Sequence, residues 1–182
     1  MKMKTTKPAS TKAASNEFRA GDYVVYPAHG VGKIDGVDTQ TIGGMQVALY
    51  TITFEKDRMR LKVPVIKAET SGLRKLVTVD RMKDAIKTLK GRARIRRTMW
   101  SRRAAEYELK INSGDPIAIA EVLRDLKRSA EDTEQSYSER QIYQAALERL
   151  ARELAAVQKI TEVKAAEQLE QIMRGERKRL AA

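Results

Sequence analysis

The sequence predicts an α+β protein, a small β-barrel followed by an all-α helical bundle. Two observations predict it. From Tyr23 to Val65 the chain falls into short alternating runs separated by Gly, Pro and charged turns, with no helical pattern between them. From Val79 onward apolar residues recur at three- and four-residue spacing between capping residues.

The first strand is Tyr23-Val24-Val25-Tyr26, β-rich and closed by Pro27. Gly30-Val31-Gly32 is read as a turn into a strand over residues 33–37, and Gly43-Gly44 as a hairpin turn. Residues 46–54 then alternate, with Val47, Leu49, Thr51 and Thr53 on one face and Ala48, Tyr50, Ile52 and Phe54 on the other. After the polar turn Glu55-Lys56-Asp57-Arg58, Met59, Leu61, Val63 and Val65 point one way and Arg60 and Lys62 the other. Pro64 cannot donate a ladder hydrogen bond, which places this strand at a sheet edge. A barrel of about 60 residues is marginal alone, so docking on a partner or a second domain is expected to support it.

The helices follow in order. Residues 79–90 are amphipathic and Gly91 sits where a C′ glycine would. A second helix starts at Thr98 or Met99 and stops at Ser113-Gly114. Asp115-Pro116 supplies an N-cap and a first-turn proline to a third, whose Ile119, Leu123 and Leu126 share a face. Ser136 and Glu139 form a capping box opening a long helix with Ile142, Ala146, Leu150, Leu154 and Val157 on one stripe. Thr161 caps a last helix bearing Ala166, Leu169 and Met173. Short links predict a bundle of four or five helices.

Composition narrows the function. The 182 residues contain no cysteine and one histidine, so disulfides, thiolate metal sites and histidine clusters are excluded, and a reducing cytosol is the natural setting. No apolar run approaches the ~20 residues that cross a bilayer, and the Lys-rich residues 1–16 lack the apolar region of a secretory signal, reading instead as a disordered basic tail. The net charge of +12 suggests a polyanion partner. Its excess is local: residues 76–104 hold ten Lys or Arg against two Asp, while residues 17–75 hold nine against seven acids and residues 105–182 thirteen against fifteen.

Six of the twelve residues 92–103 are arginine: Arg92, Arg94, Arg96, Arg97, Arg102 and Arg103. Guanidinium forks match phosphate geometry, and neutralising phosphates releases counterions. The competing reading is a solvated linker between domains. Trp100, the only tryptophan, lies inside the cluster. It is either a wedge inserted at an unstacked base step or the end of a core stripe with Ala104, Tyr107 and Ile111. The near helix N-terminus favours exposure and a phosphate. Arg60 and Lys62 on the edge strand could meet a partner, although charges there more often block edge-to-edge aggregation. His29 in Pro27-Ala28-His29-Gly30 is a turn residue, since nothing around it forms a triad or a metal set. Gly30-Val31-Gly32 is too short for a dinucleotide fingerprint. Acidic residues in the second half, such as Glu148 beside Arg152, read as solvated helix faces. No catalytic set assembles and no cofactor or metal is expected, so the protein is not expected to be an enzyme.

Several segments together resemble the CarD/CdnL family of bacterial transcription regulators. They are Phe18-Arg19-Ala20-Gly21-Asp22-Tyr23-Val24-Val25-Tyr26-Pro27-Ala28-His29-Gly30, Val63-Pro64, Trp100-Ser101-Arg102-Arg103, Ser113-Gly114-Asp115 and Ala120-Glu121-Val122-Leu123-Arg124-Asp125-Leu126. The resemblance runs from Glu17 to Met173 and implies the following. Residues 17–75 form a Tudor-like barrel, similar to the polymerase-interacting module of transcription-repair coupling factors, that docks on the RNA polymerase β subunit through Gln40, Ile42, Lys62, Val63 and Pro64. Residues 76–97 are a helix and basic linker, residues 98–175 a helical DNA-binding domain, and residues 176–182 a basic tail. Trp100 wedges into the promoter minor groove at the upstream edge of the transcription bubble, Arg102 and Arg103 hold the backbone, and Arg96 and Arg97 add to that surface. The open complex is stabilised, and the protein acts as a cytoplasmic, nucleoid-associated monomer. Three departures stand out: Gln40 replaces an arginine of relatives, Ala105 replaces a lysine, and the AT-hook and acidic repeats of the longest members are absent, while Lys62 keeps its charge. The alternatives are a nucleic-acid-binding adaptor or a helical protein-interaction scaffold, both without polymerase contact.

Overall fold

Five antiparallel strands make one sheet in the order β4-β3-β2-β1-β5: β1 Tyr23–Tyr26, β2 Gly30–Ile42, β3 Met45–Phe54, β4 Met59–Pro64 and β5 Arg74–Lys75. The computed structural model describes residues 18–127 and 136–180, so the basic tail expected over residues 1–16 lies outside the described residues. Gly43 and Gly44 both have positive φ, +59° and +82°, the combination a two-residue hairpin turn between β2 and β3 requires. β4 lies at the edge, as its proline demands. A register shift between Ile34 and Gly36 interrupts the long β2–β3 ladder, and such bulges bend a strand and increase its twist. One side of the bent sheet encloses Phe18, Val24, Ile34, Tyr50, Ile52 and Phe54. Tyr50, Ile52 and Phe54 come from one alternating face of β3, as its pattern requires. The fold is that of a small Tudor-like β domain followed by an all-α bundle.

The expected turn at Gly30-Val31-Gly32 is corrected. Those residues begin β2, pairing with Tyr26, Val25 and Val24, and the strand continues to Ile42 rather than stopping near Val37. Gly32 is needed for packing rather than turning: a Cβ there would come within 2.7 Å of Ile52 and 2.8 Å of Phe54. The turn lies just before it, where the His29 N–H donates to the Tyr26 carbonyl at 3.0 Å. β5 is two residues long and has no alternating pattern to announce it.

Among the described residues five helices follow: α1 Val79–Leu89, α2 Trp100–Asn112, α3 Pro116–Lys127, α4 Tyr137–Gln158 and α5 Glu162–Leu180. The Thr78 hydroxyl caps α1, the Asp115 carboxylate accepts the Ile117 N–H in the first turn of α3, and Ser136 and Glu139 form a reciprocal box at α4. Met82, Ala85 and Leu89 of α1 share one core with Ile119, Leu123, Leu150, Leu154 and Leu169, so α1 belongs to the bundle rather than to a linker. Gly91 does not take the left-handed conformation expected of it; that role falls to Gly114 after α2, at φ +71°. α5 runs to Leu180, into the segment read as a basic tail, where Glu, Arg, Lys and Leu all favour helix.

Candidate nucleic-acid interface

Trp100 is the first residue of α2, and its ring is half-buried. It packs against the helical core beside Ala104, with the Tyr107 ring centroid 6.4 Å away, yet keeps part of its surface in solvent. The Arg103 guanidinium lies over the indole at 5.5 Å, within cation–π range. The indole N–H donates to Ser138 Oγ at 2.7 Å, tying α2 to the first turn of α4. Burial, helped by the nearby Asp125 charge, pushes the Tyr107 phenol up from its ordinary value.

The N-terminus of α2 is electrostatically unusual. Met99 offers no side-chain cap, its own side chain is 78% exposed, and no acid lies in the first turn. Arg102 and Arg103 occupy that turn instead, where the helix dipole disfavours cations. An anion placed there would relieve both problems, because free N–H groups and guanidinium groups converge on it.

The arginines divide by environment. Arg92, Arg94, Arg96, Arg97 and Arg102 are exposed, and their side chains form no ion pair among the described residues. Arg103 is half-buried against the indole, and its Nε has no acceptor among the described residues. The stretch is not a loose tether. The Arg94 N–H donates at 2.9 Å to Asp125, a buried carboxylate on α3 that also accepts from Arg124 Nε at 2.9 Å.

The residues expected to face polymerase lie on two strands, β4 and β2, with β3 between them. Lys62 and Pro64 stand on edge strand β4, opposite Thr51 and Leu49 of β3. Gln40 and Ile42 lie on the arm of the β2–β3 hairpin that runs past the end of β4, paired with Val47 and Met45. Ile42 and Met45 are 54% and 70% exposed at its tip. Val63 is buried in the β core, so only its main chain at the edge can meet a partner. Lys62 is exposed, with Asp38 3.9 Å away.

Comparison with known proteins bears on what these surfaces are. Residues 18–77 match the family described as CarD-like/TRCF RID domain, and residues 84–170 match CarD, C-terminal domain. The chain belongs to the CarD/CdnL family. It is therefore a transcription-associated, RNA polymerase-interacting factor, and the members of this family are transcription factors rather than enzymes. YdeB of Bacillus subtilis (strain 168), a candidate transcription factor by its name, is 28% identical over 145 residues, 80% of this chain and 95% of YdeB. The solution structure of the 72-residue N-terminal domain of Myxococcus xanthus CarD is 30% identical and covers 38% of this chain and 93% of that domain, at a TM-score of 0.30. Among the described residues no helix is long and apolar enough to cross a membrane.

In this CarD/CdnL member the β domain and the bundle are joined by charged side chains that sequence reasoning passed over. Arg74 of β5 reaches the buried Glu153 of α4 with both terminal nitrogens and also donates to the Gly114 carbonyl. Glu153 accepts the Val77 N–H as well, at 3.2 Å. Arg149, four residues earlier, donates to the Pro27 carbonyl at 2.9 Å and to that of Ala28. Burial, with the nearby Arg152 charge, lowers the Arg149 guanidinium from its ordinary value. Lys56 in the β3–β4 turn bonds Glu148. The Pro27-Ala28-His29-Gly30 turn is thus a docking element, with His29 stacked on Tyr26 as a structural residue. Glu148 and Arg152 do pair at 3.5 Å, as their spacing suggests, but Arg152 is only 11% exposed and Glu148 serves the domain boundary. The available signal was a charged pair, Arg149 and Glu153, spaced along the margin of an apolar stripe.

Proposed function

We propose that this protein stabilises the open promoter complex by holding RNA polymerase and melted-edge DNA at once. Its β domain, residues 17–75, docks on the polymerase β subunit through Lys62, Pro64, the main chain of Val63, and the hairpin arm bearing Gln40 and Ile42. Its helical domain, with residues 98–175 as the DNA-binding part, lays Trp100 into the minor groove at the upstream bubble edge, while Arg96, Arg97, Arg102 and Arg103 serve the phosphates and the ring. The protein works as a monomer in the cytoplasm, at the nucleoid. The observation that carries this reading is the start of α2: a helix N-terminus without a side-chain cap, with a half-exposed indole flanked by arginines that have no carboxylate partner among the described residues.

Such a surface binds duplex weakly alone, with Kd on the order of 10⁻⁴ to 10⁻⁶ M at physiological salt. Tethering to polymerase raises its effective concentration at the promoter. Specificity then comes from the deformability of the bubble edge rather than from base reading. The test is the lifetime of promoter open complexes after competitor challenge. Trp100→Ala is expected to shorten it while polymerase capture stays intact; an unchanged lifetime removes the wedge from the mechanism.

A further inference from the structure

We infer that Ser138 is a positioning residue that pre-sets the Trp100 ring and withdraws its only donor from base reading. The inference rests on the proposed wedge role and adds how the wedge is aimed. An indole has one polar hydrogen, on Nε1. Here that hydrogen is given to Ser138 Oγ at 2.7 Å, across 38 positions of sequence.

The acceptor is held firmly. Ser138 lies inside the first turn of α4, which is closed on both sides of it: the Glu139 N–H donates to Ser136 Oγ at 3.2 Å, and the Ser136 N–H donates to Glu139 Oε2 at 3.1 Å. The ring is further confined by the Arg103 guanidinium and by Tyr107. The bond from α4 also tethers a start of α2 that Met99 leaves without a side-chain cap. A tryptophan free to rotate would lose that freedom on insertion, whereas one already fixed does not.

Two consequences follow from the direction of the bond. The minor groove offers acceptors at adenine N3 and thymine O2, and an indole N–H could discriminate through them only by leaving Ser138. The ring therefore enters by its carbon edge and acts through stacking and shape, as apolar wedges do.

The experiment uses the full chain with Ser138→Ala, Ser138→Thr and Trp100→Ala. It follows open-complex lifetime, polymerase capture and solvent exchange of the Trp100 indole proton by NMR. Ser138→Ala is expected to speed that exchange and to shorten the lifetime roughly two- to ten-fold, the range of one hydrogen bond, with capture unchanged. Ser138→Thr, which keeps the acceptor, is expected to restore both. A wild-type lifetime in Ser138→Ala beside a shortened one in Trp100→Ala overturns the inference and leaves the wedge standing. A wild-type lifetime in Trp100→Ala removes the wedge itself, and this inference with it.

Discussion

Arg74 and Glu153 meet in a two-point ion pair, 2.7 and 2.9 Å between their nitrogens and oxygens, across the boundary between sheet and helices. Glu153 is 3% exposed, and its carboxylate accepts from that partner and from the Val77 N–H. Arg74→Ala would leave a buried carboxylate unpaired and is expected to cost about 3 kcal/mol. Replacing both residues by Met and Leu removes the orphan charge and is expected to recover much of that loss. Denaturant unfolding of the single and double variants checks both statements; a cost below about 0.5 kcal/mol for Arg74→Ala would place the pair among ordinary surface contacts.

Gly114 answers two demands at the same boundary. Its φ of +71° ends α2, and a Cβ there would lie 3.2 Å from Pro27 Cα. Gly114→Ala is expected to destabilise by about 1–2 kcal/mol from backbone conformation, more if Pro27 has to move. Gly175 is the control: it sits inside α5 with nothing within 4 Å of a built Cβ, so Gly175→Ala is expected to stabilise by about 0.5–1 kcal/mol. Thermal melts of the two variants should move in opposite directions.

Lys56 bonds Glu148 across the boundary, and that hydrogen bond, with the Lys56 and Arg152 charges, holds the Glu148 carboxyl below its ordinary value of 4.5. A carboxylate whose folded value is depressed stabilises fully above its unfolded value and loses that contribution as pH falls through the folded one. Melting temperature is therefore expected to fall below about pH 4.5, and Glu148→Gln should lack that component. Both side chains are more than 40% exposed, so the effect is small and should shrink further in high salt. An identical pH profile in the variant would show that the pair is idle.

What the sequence disclosed and what it hid follow one physical division. Alternation in residues 46–54, the proline of β4, the capping box at Ser136 and the stripes of α3 and α4 are local signals, and each appears where its pattern requires. β5 and the partners of Arg149 and Glu153 depend on contacts between residues far apart in the chain, which no window of sequence contains. The start of β2 at Gly30 resembles a turn in sequence because glycine breaks patterns, although Gly32 is there to clear Ile52. At the candidate site the arginine cluster and Trp100 were visible as composition, while Ser138 was not, since an exposed serine in a helix turn looks like any other.

Lys62 is an exposed cation on edge strand β4, and among the described residues its ion-pair contact is a loose one, at 3.9 Å with Asp38. Lys62→Glu would set two acids beside each other on an exposed edge and is expected to weaken polymerase capture while leaving duplex affinity nearly unchanged. Gln40→Arg, which adds a cation to the hairpin arm, is expected to act in the opposite direction. Pulldown with purified polymerase at two salt concentrations reads both; no response from either variant would move the docking surface away from β4 and the hairpin arm.

Arg102 and Arg103 are neighbours in sequence with different surroundings, and their variants should separate. Arg102 is exposed without an ion-pair partner among the described residues, as are Arg96 and Arg97. Each phosphate they neutralise adds about 0.9 to the slope of log affinity against log salt. The triple variant Arg96→Ala, Arg97→Ala, Arg102→Ala is expected to reduce that slope by up to about 2.7, without regard to sequence. Arg103 instead lies over the indole with its Nε buried, so Arg103→Ala is expected to alter Trp100 fluorescence in the free protein and to change the slope less than Arg102→Ala does. If duplex binding stays undetectable at low salt in the parent chain, the cluster is a solvated surface and the helical domain has another partner. If the two single variants instead shift the slope alike and leave the emission untouched, the arginines form one phosphate surface and Arg103 does not support the ring.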